Sequence, residues 1–252
     1  MITADDFGMS SEVNEAVERA HGEGVLSAAS LMVSGTGARE AVEIDRRLPA
    51  LRVGLHLVLI EGRPTLRPQQ IPDLVQPNGH LRSDMVRLAF DLAGKPHIRR
   101  QLKREIAAQV IEVGRQFGMR ALRVPREPGH AMAPGCAVLL AQTRRAGLVT
   151  PDAVLGLRWS GQMTRERLLA AVEHAPAGMV EIYAHPATAD SFPGSARGYR
   201  YRDELAALVD PEVIAAVKRS RRRTGGYADA GAPRPGLLSA GSRRAETIQS
   251  RP

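Results

Sequence analysis

The chain has 252 residues, of which 43% are hydrophobic and only 4% aromatic, enough for one large domain with a mainly aliphatic core. Its single cysteine, Cys136, excludes an internal disulfide and is typical of a protein in a reducing compartment. The net charge of +8 comes almost wholly from residues 218–252, which carry +7, so the nearly neutral remainder does not predict a nucleic-acid-binding face.

Neither a membrane-spanning segment nor a secretion signal is predicted from the sequence. No apolar run approaches the ~20 residues that span a bilayer, and the first residues lack the pattern of a secretion signal. We therefore expect a cytoplasmic protein without a transmembrane segment. Residues 229–252 are rich in Gly, Ser, Ala and Pro, which predicts a disordered tail. A solvated tail is the simpler interpretation, and contact with nucleic acid or a membrane surface is the alternative.

Predicted strands and helices alternate from the start of the chain. An apolar run beginning at Ile2 leads into Asp5 and Asp6, and is followed by a helix over residues 12–23, a strand over 25–33, a helix over 37–48 and a strand over 51–58. This alternation predicts a parallel sheet or barrel with right-handed crossovers.

The rest of the chain continues the alternation after a proline-rich stretch. Residues 61–78 predict a long loop over the sheet. The later predicted elements are helices over 97–117, 137–146, 164–174, 203–209 and 211–219, and strands over 121–125 and 179–184. We find no internal repeat and no second core, so residues 1–228 are expected to form one domain.

Polar side chains with metal-site chemistry stand at the ends of three predicted strands: Asp5 with Asp6, then His56, then His185. The carboxyl ends of parallel strands face the active-site crevice of such folds, and carboxylate and imidazole are ligands of hydrolytic divalent ions. Asp6 and His56 are the predicted metal ligands, and Asp5 the base that takes a proton from water. His185 is predicted to act as the acid or to stabilise a tetrahedral intermediate.

Each of these residues also has a simpler interpretation. Asp5 and Asp6 can cap the helix that follows them. His56, between two leucines, can be a core histidine bonded to backbone, and His185, before a proline, can be a turn residue. It is their joint placement at strand ends that favours a site. Cys136 begins an apolar helix, where a small buried residue is a simpler interpretation than a nucleophile.

Several of these segments resemble the YdjC-like (ChbG/HpnK) carbohydrate deacetylase family. Three segments carry the general likeness: 3–8 (TADDFG), 14–16 (NEA) and 53–57 (VGLHL). Three others resemble the hopanoid-biosynthesis-associated branch: 121–128 (ALRVPREP), 159–161 (WSG) and 181–186 (EIYAHP). The likeness runs from about residue 2 to residue 228.

The resemblance implies an irregular (β/α) barrel of the glycoside hydrolase/deacetylase type. It implies removal of an N-acetyl group from an amino sugar, or from a glycolipid of hopanoid biosynthesis, with a divalent metal, Mg or Zn. It assigns Asp5 as the base and Asp6 and His56 as metal ligands, and it places His185 in the site. The candidate substrate contacts are Arg123, Arg126, Glu127 and Trp159, the last by stacking on a sugar face. We also expect that the chain could form a homodimer.

The chain departs from the family at one place. The family's third metal histidine lies in a His-x-His-x-His-Pro run between the long helix and the Arg-Val-Pro strand. Here residues 109–118 (QVIEVGRQFG) contain no such run, and we therefore expect a barrel that lacks one strand. A two-ligand metal site is weak. This leaves three hypotheses: a metal-dependent deacetylase, a non-catalytic or decayed relative, and, as the weakest, a nucleic-acid binder acting through its basic tail. His130 is a conceivable replacement ligand.

Overall fold

Five parallel strands form the sheet of the described part of the chain, in the order β3-β2-β1-β5-β4. The structure is a computed structural model, and it describes residues 1–59, 62–117, 121–128, 140–141, 143–145 and 148–229. The strands are β1 (Ile2–Phe7), β2 (Ala28–Leu31), β3 (Arg52–Leu55), β4 (Ala153–Leu155) and β5 (Val180–Ala184). The main helices are α1 (Ser11–Glu23), α2 (Ala38–Arg47), α3 (Met85–Gly94), α4 (Pro96–Phe117), α5 (Arg165–Glu173), α6 (Tyr201–Leu208) and α7 (Pro211–Arg219).

Most predicted elements are confirmed within a few residues, and one is wrong. In the predicted strand over 121–125, only Ala121 forms a bridge, to Val149. Pro125 and Pro128 lack the backbone N–H that a longer strand ladder needs. Strand β4 and helix α3 were not predicted. Of the predicted helix over 137–146, residues 140–141 and 143–145 are described and are helical, and the others lie outside the described residues. Cys136, His130 and residues 230–252 also lie outside them.

The two faces of the sheet differ in polarity because side chains alternate along each strand. One face contributes apolar side chains to the main core, including Ile2 and Ala4 of β1, Ala29 and Leu31 of β2, and Val180, Ile182 and Ala184 of β5. Helices α1, α2, α5, α6 and α7 add side chains to the same core. Between these positions lie the polar side chains Thr3, Asp5, Ser30, Glu181 and Tyr183, which by alternation occupy the opposite face. The sheet therefore separates an apolar, helix-covered side from a polar one.

A second, smaller hydrophobic cluster joins the end of the sheet to the segment that follows β3. It contains Met32, Val58, Ile71, Leu74, Leu81, Leu88 and Ile98. The predicted absence of a second core is therefore wrong. Within this segment, buried Glu105 of α4 accepts hydrogen bonds from the backbone N–H groups of Thr65 (2.7 Å) and Leu66 (3.0 Å). That pairing gives the proline-rich stretch a fixed attachment to α4.

The α/β fold class is confirmed, with parallel strands, covering helices and a polar sheet face, as in (β/α)-barrel-like proteins. The loss of one barrel strand stays a prediction. Asp229, which the sequence places at the start of the tail, pairs with Arg52 at 3.1 Å. Within the described residues, no helix is both long enough and apolar enough to cross a membrane.

Candidate active site

A bulge at the end of β1 brings two consecutive carboxylates to one cluster. Ala4 pairs with Ala29 and Phe7 with Leu31, so three steps along β1 match two steps along β2. Asp6, inside this irregularity, has a left-handed backbone with φ 65°, which aspartate tolerates better than most residues. In a regular strand, Asp5 and Asp6 would point to opposite faces. The bulge instead lets both reach the neighbourhood of His56.

Asp5 is a buried carboxylate held by three hydrogen bonds. It is 4% exposed, and it accepts from Ser30 Oγ (2.7 Å), Arg123 Nη1 (2.6 Å) and Arg123 Nη2 (2.8 Å). Burial on its own raises the pKa of Asp5, but the charge and hydrogen bonds of Arg123 outweigh burial and hold that pKa well below its usual range. Asp5 is therefore ionised at neutral pH.

Ser30 fixes which nitrogen of His56 carries the proton. The hydroxyl of Ser30 has one hydrogen, and it donates this hydrogen to Asp5, which as a carboxylate only accepts. Ser30 Oγ therefore accepts the second contact, from His56 Nδ1, at 2.9 Å. In the neutral imidazole, the lone pair then lies on Nε2.

Asp6 and His56 have the geometry of two ligands of one cation. His56 Nε2 lies 3.6 Å from Asp6 Oδ1, which is too far for a hydrogen bond. Ligands that each lie about 2.0–2.2 Å from one metal are roughly 3–3.6 Å apart at bond angles of about 90–120°. Both side chains are partly exposed, at 24% and 16%, so solvent can reach them. The pair therefore fits a divalent cation, and the Ser30 bond orients the imidazole as outer partners of metal-bound histidines do.

The described residues provide no complete metal cage. Among them, no group of three His, Cys, Asp or Glu side chains is placed to hold an ion. The sequence proposed His130 as a replacement ligand, and that residue lies outside the described part of the chain. Among the described residues, the site thus has two candidate metal ligands, the carboxylate of Asp6 and the imidazole of His56.

Arg123 links Asp5 to a second buried carboxylate, Glu181 of β5. Glu181 is fully buried, and it accepts from Arg123 Nε (2.9 Å), Arg123 Nη2 (2.7 Å) and Thr3 Oγ1 (2.8 Å). Burial alone lowers the pKa of Arg123, but Asp5 and Glu181 raise it above its ordinary value. The guanidinium fork is therefore occupied by two carboxylates, and the ring of Tyr183 lies 5.2 Å from its central carbon.

His185 follows β5 and is 8% exposed. Its ring packs edge-on between Tyr183 and Tyr199, with centroid distances of 5.3 and 5.1 Å, and its backbone N–H donates to Glu204. Burial raises the pKa of Glu204, and His185 opposes that shift. Nδ1 of His185 is buried and has no hydrogen-bond partner among the described residues. An unpaired buried nitrogen is costly, so it is available to a bound molecule.

The other predicted substrate contacts occupy different positions. Arg126 is exposed. Glu127 is buried and accepts from the backbone N–H groups of Gly156 (3.3 Å) and Arg158 (3.0 Å), so it holds the turn before Trp159. Trp159 is partly buried against the main core, and the guanidinium of Arg167 lies 5.4 Å from its ring. Substrate binding by these residues stays a prediction.

Ser30 and Glu181 were not predicted as site residues from the sequence. Ser30 interrupts an otherwise apolar strand, and alternation puts it on the same face as the neighbouring strand's Asp5. Glu181 is the one charge in the strand VEIYA. A charge in a buried strand is rare unless it is paired, which is the signal that points to a partner such as Arg123.

Comparisons with known proteins give matches over most of the chain. The family model described as YdjC-like protein matches residues 1–112 and 110–219. A chitooligosaccharide deacetylase of Serratia marcescens is 29% identical over 255 residues, which cover 91% of this chain and 98% of that protein. A carbohydrate deacetylase of Geobacillus stearothermophilus is 28% identical over 232 residues, which cover 85% of this chain and 91% of that protein.

The fold is also similar to that of a solved structure. It is that of a proposed cellobiose-phosphate cleavage protein from Enterococcus faecalis V583, with a TM-score of 0.69 and 22% identity. The match covers 91% of this chain and 97% of that one. The family match includes all five strands and the residues from Asp5 to His185 that build the site. The chain therefore belongs to the YdjC-like protein family.

Proposed function

We propose that this protein is a metal-dependent deacetylase that removes the N-acetyl group from an amino sugar. One observation carries the proposal: the Nε2 lone pair of His56 faces Asp6 Oδ1 across 3.6 Å, beside the ionised Asp5. The deacetylase names of the Serratia and Geobacillus relatives support the substrate class.

Asp6 and His56 would hold a divalent cation such as Zn²⁺ or Mg²⁺. A cation at this place supplies positive charge that polarises an amide carbonyl and acidifies a water. Because Ser30 Oγ accepts a hydrogen bond from His56 Nδ1–H, the lone pair of Nε2 stays available to coordinate the cation. The partial exposure of both ligands leaves room for water and substrate.

Asp5 orients the attacking water and accepts its proton. Its pairing with Arg123 keeps it ionised, which a proton acceptor needs, but also lowers its basicity. We therefore assign Asp5 first to holding the water in line and second to taking up the proton as the new bond forms. Arg123 and Glu181 fix the direction of its carboxylate.

His185 is our candidate for the leaving-group side of the reaction. Its unpaired Nδ1 can donate a proton to the departing amine or a hydrogen bond to the tetrahedral oxygen. The aromatic rings of Tyr183 and Tyr199 limit its rotation. The sugar itself is proposed to contact Trp159 and Arg126, and the hopanoid-type sequence segments favour a glycolipid substrate.

A non-catalytic sugar-binding relative is the second candidate. Its support is that the described residues offer two metal donors and no third. The family model also matches in two segments that meet at residues 110–112, where the sequence lacks the histidine-rich run. Such a protein would still bind the sugar but would not deacetylate it.

Acetate release from N-acetylglucosamine oligosaccharides, assayed with Zn²⁺, Mg²⁺, Co²⁺ and Ni²⁺, separates the two candidates. We expect metal-dependent release that Asp6→Asn abolishes. Asp203→Asn on α6 is the matched control, because Asp203 is half-exposed and pairs with Arg200 on the surface. Release that persists in Asp6→Asn removes Asp6 from the mechanism, and no release with any metal favours the non-catalytic relative.

A further inference from the structure

A continuous chain of hydrogen bonds runs from the C-terminal part of the described chain to Asp5. The hydroxyl of Tyr227 donates to Glu181 Oε2. Arg123 Nε donates to the same oxygen at 2.9 Å, and the two terminal nitrogens of Arg123 reach Asp5 at 2.6 and 2.8 Å. Tyr227 is therefore two side chains away from the carboxylate that we assign to the water.

The segment that carries Tyr227 is attached to the sheet at several points. We call residues 225–229 the C-terminal strap. Ser27 Oγ donates to the backbone oxygen of Gly225 at 2.8 Å, and Arg52 pairs with Asp229 at 3.1 Å. Gly226 lies so close to Arg52 that a Cβ there would meet the Arg52 Cβ at 2.4 Å. The strap is thus packed closely against Ser27, which precedes β2, and Arg52, the first residue of β3.

The strap lies at the opposite end of the strands from the metal ligands. Ser27 precedes β2, Arg52 is the first residue of β3, and Glu181 is the second residue of β5. Asp5 and Asp6, in contrast, are near the carboxyl end of β1. In parallel β/α folds, the amino end of the strands usually serves stability and the carboxyl end serves chemistry. Here Glu181 and Arg123 connect the two ends.

We propose that Tyr227 is a positioning residue for the deacetylation, which orients Asp5 through Glu181 and Arg123. The inference rests on the proposed function for its kinetic consequence. Without the hydroxyl, the one donor to Glu181 Oε2 among the described residues is Arg123 Nε. The guanidinium then shifts toward Glu181 at the expense of Asp5. Burial, and then the negative charge of Glu181, raise the pKa of Tyr227, so the phenol remains a donor throughout the neutral range.

Tyr227→Phe tests the proposal because it removes one hydroxyl and keeps the ring. We expect kcat to fall about tenfold with KM unchanged, because misalignment of a reacting group acts on the transition state. Tyr201→Phe is the matched control. Tyr201 is buried, whereas Tyr227 is partly buried. The hydroxyl of Tyr201 accepts from the backbone N–H of Ala196, outside the Asp5 network. A similar kcat loss in both variants, or a kcat for Tyr227→Phe within about twofold of wild type, overturns the proposal.

A second readout does not depend on turnover. The Nε–H proton of Arg123 points at the oxygen that Tyr227 shares, so its NMR resonance, assigned by its loss in Arg123→Lys, reports on the bond. We expect this resonance to move in Tyr227→Phe and to stay in place in Tyr201→Phe. An unmoved resonance in Tyr227→Phe overturns the positioning role, whether or not the wild type is active.

The two readouts also separate this inference from the proposed function. If wild type releases no acetate but the resonance moves in Tyr227→Phe alone, the deacetylase assignment fails and the link from Tyr227 to Arg123 stands. If Tyr227→Phe does not fold, Asp229→Asn serves in its place, because it loosens the strap through Arg52. It should move the same resonance, and lower kcat in the same direction, to a smaller extent.

Discussion

The two faces of the sheet hold the protein together in different ways. The helix-covered face is closed by aliphatic side chains, such as Val17 of α1 and Leu168 of α5, both fully buried. The polar face is closed by Arg123 between two carboxylates. Apolar burial is non-directional and tolerates small shifts, whereas a buried charged network fails when one member is removed. The polar face therefore carries the candidate catalytic residues and is the more sensitive to substitution. The helix-covered face contributes to stability and carries none of them.

Removing the Arg123 guanidinium should have the largest effect on stability. We expect Arg123→Ala to lower the free energy of unfolding by about 3–5 kcal/mol, because Asp5 and Glu181 would be left buried without a counter-charge. Urea denaturation measures the loss. Arg19→Ala, which breaks an exposed pair with Glu23, should cost no more than about 0.5 kcal/mol. A loss below about 1 kcal/mol for Arg123→Ala would mean that the network does not hold this face.

A cavity on the apolar face should cost stability and leave chemistry intact. Leu168 is 0% exposed, and we expect Leu168→Ala to destabilise by about 2–5 kcal/mol. The kcat of the folded fraction should match wild type. Leu169→Ala, on the same helix but only partly buried, should cost less. A fall in kcat for Leu168→Ala at temperatures where the protein is folded would show that the two faces are coupled.

Ser30→Ala tests how the polar face orients Asp5 and His56. It removes the donor to Asp5 and the acceptor that fixes His56 Nδ1, so we expect metal affinity to fall about 10–100-fold. The free energy of unfolding should fall by about 1–2 kcal/mol. Ser10→Ala is the matched control, since Ser10 Oγ is buried without a hydrogen-bond partner among the described residues. Equal metal affinity in wild type and Ser30→Ala would contradict the assigned tautomer.

The polar face should also be the more sensitive to acid. Because the folded state lowers the pKa of Asp5, its stabilising contribution is complete above the ordinary aspartate pKa of about 3.9 and is lost as pH falls toward the lower folded value. One such group adds at most about 1.4 kcal/mol per pH unit to the slope. Unfolding measured from pH 5 downward should be steeper in wild type than in Asp5→Asn. Equal slopes would remove Asp5 from the acid response.

The apolar face could be predicted from the sequence far better than the polar one. Periodic alanines and valines, such as Ala16 and Val17, specify α1 and the side that it buries. The parallel sheet follows from the order of elements. Strand β4, with three residues, is too short to produce a periodic signal. The predicted strand over 121–125 forms one bridge, at Ala121, and ends at Pro125, which lacks a backbone N–H.

The candidate site was predicted as residue types at strand ends, and its connections were not. The sequence places Asp6 and His56 near each other, but it contains no sign that the bulge turns Asp6 or that Ser30 bridges Asp5 and His56. Arg123 was expected to contact substrate, and the structure shows its guanidinium between Asp5 and Glu181. Such contacts join residues between 25 and 118 positions apart in the sequence, so only the folded chain reveals them.

Titration calorimetry with Zn²⁺ tests the central claim, that Asp6 and His56 share one cation, most directly. We expect one ion per chain for wild type, with binding lost in both Asp6→Asn and His56→Gln and retained in Asp203→Asn. Wild-type protein that binds no ion, or binding that survives both site substitutions unchanged, would contradict it.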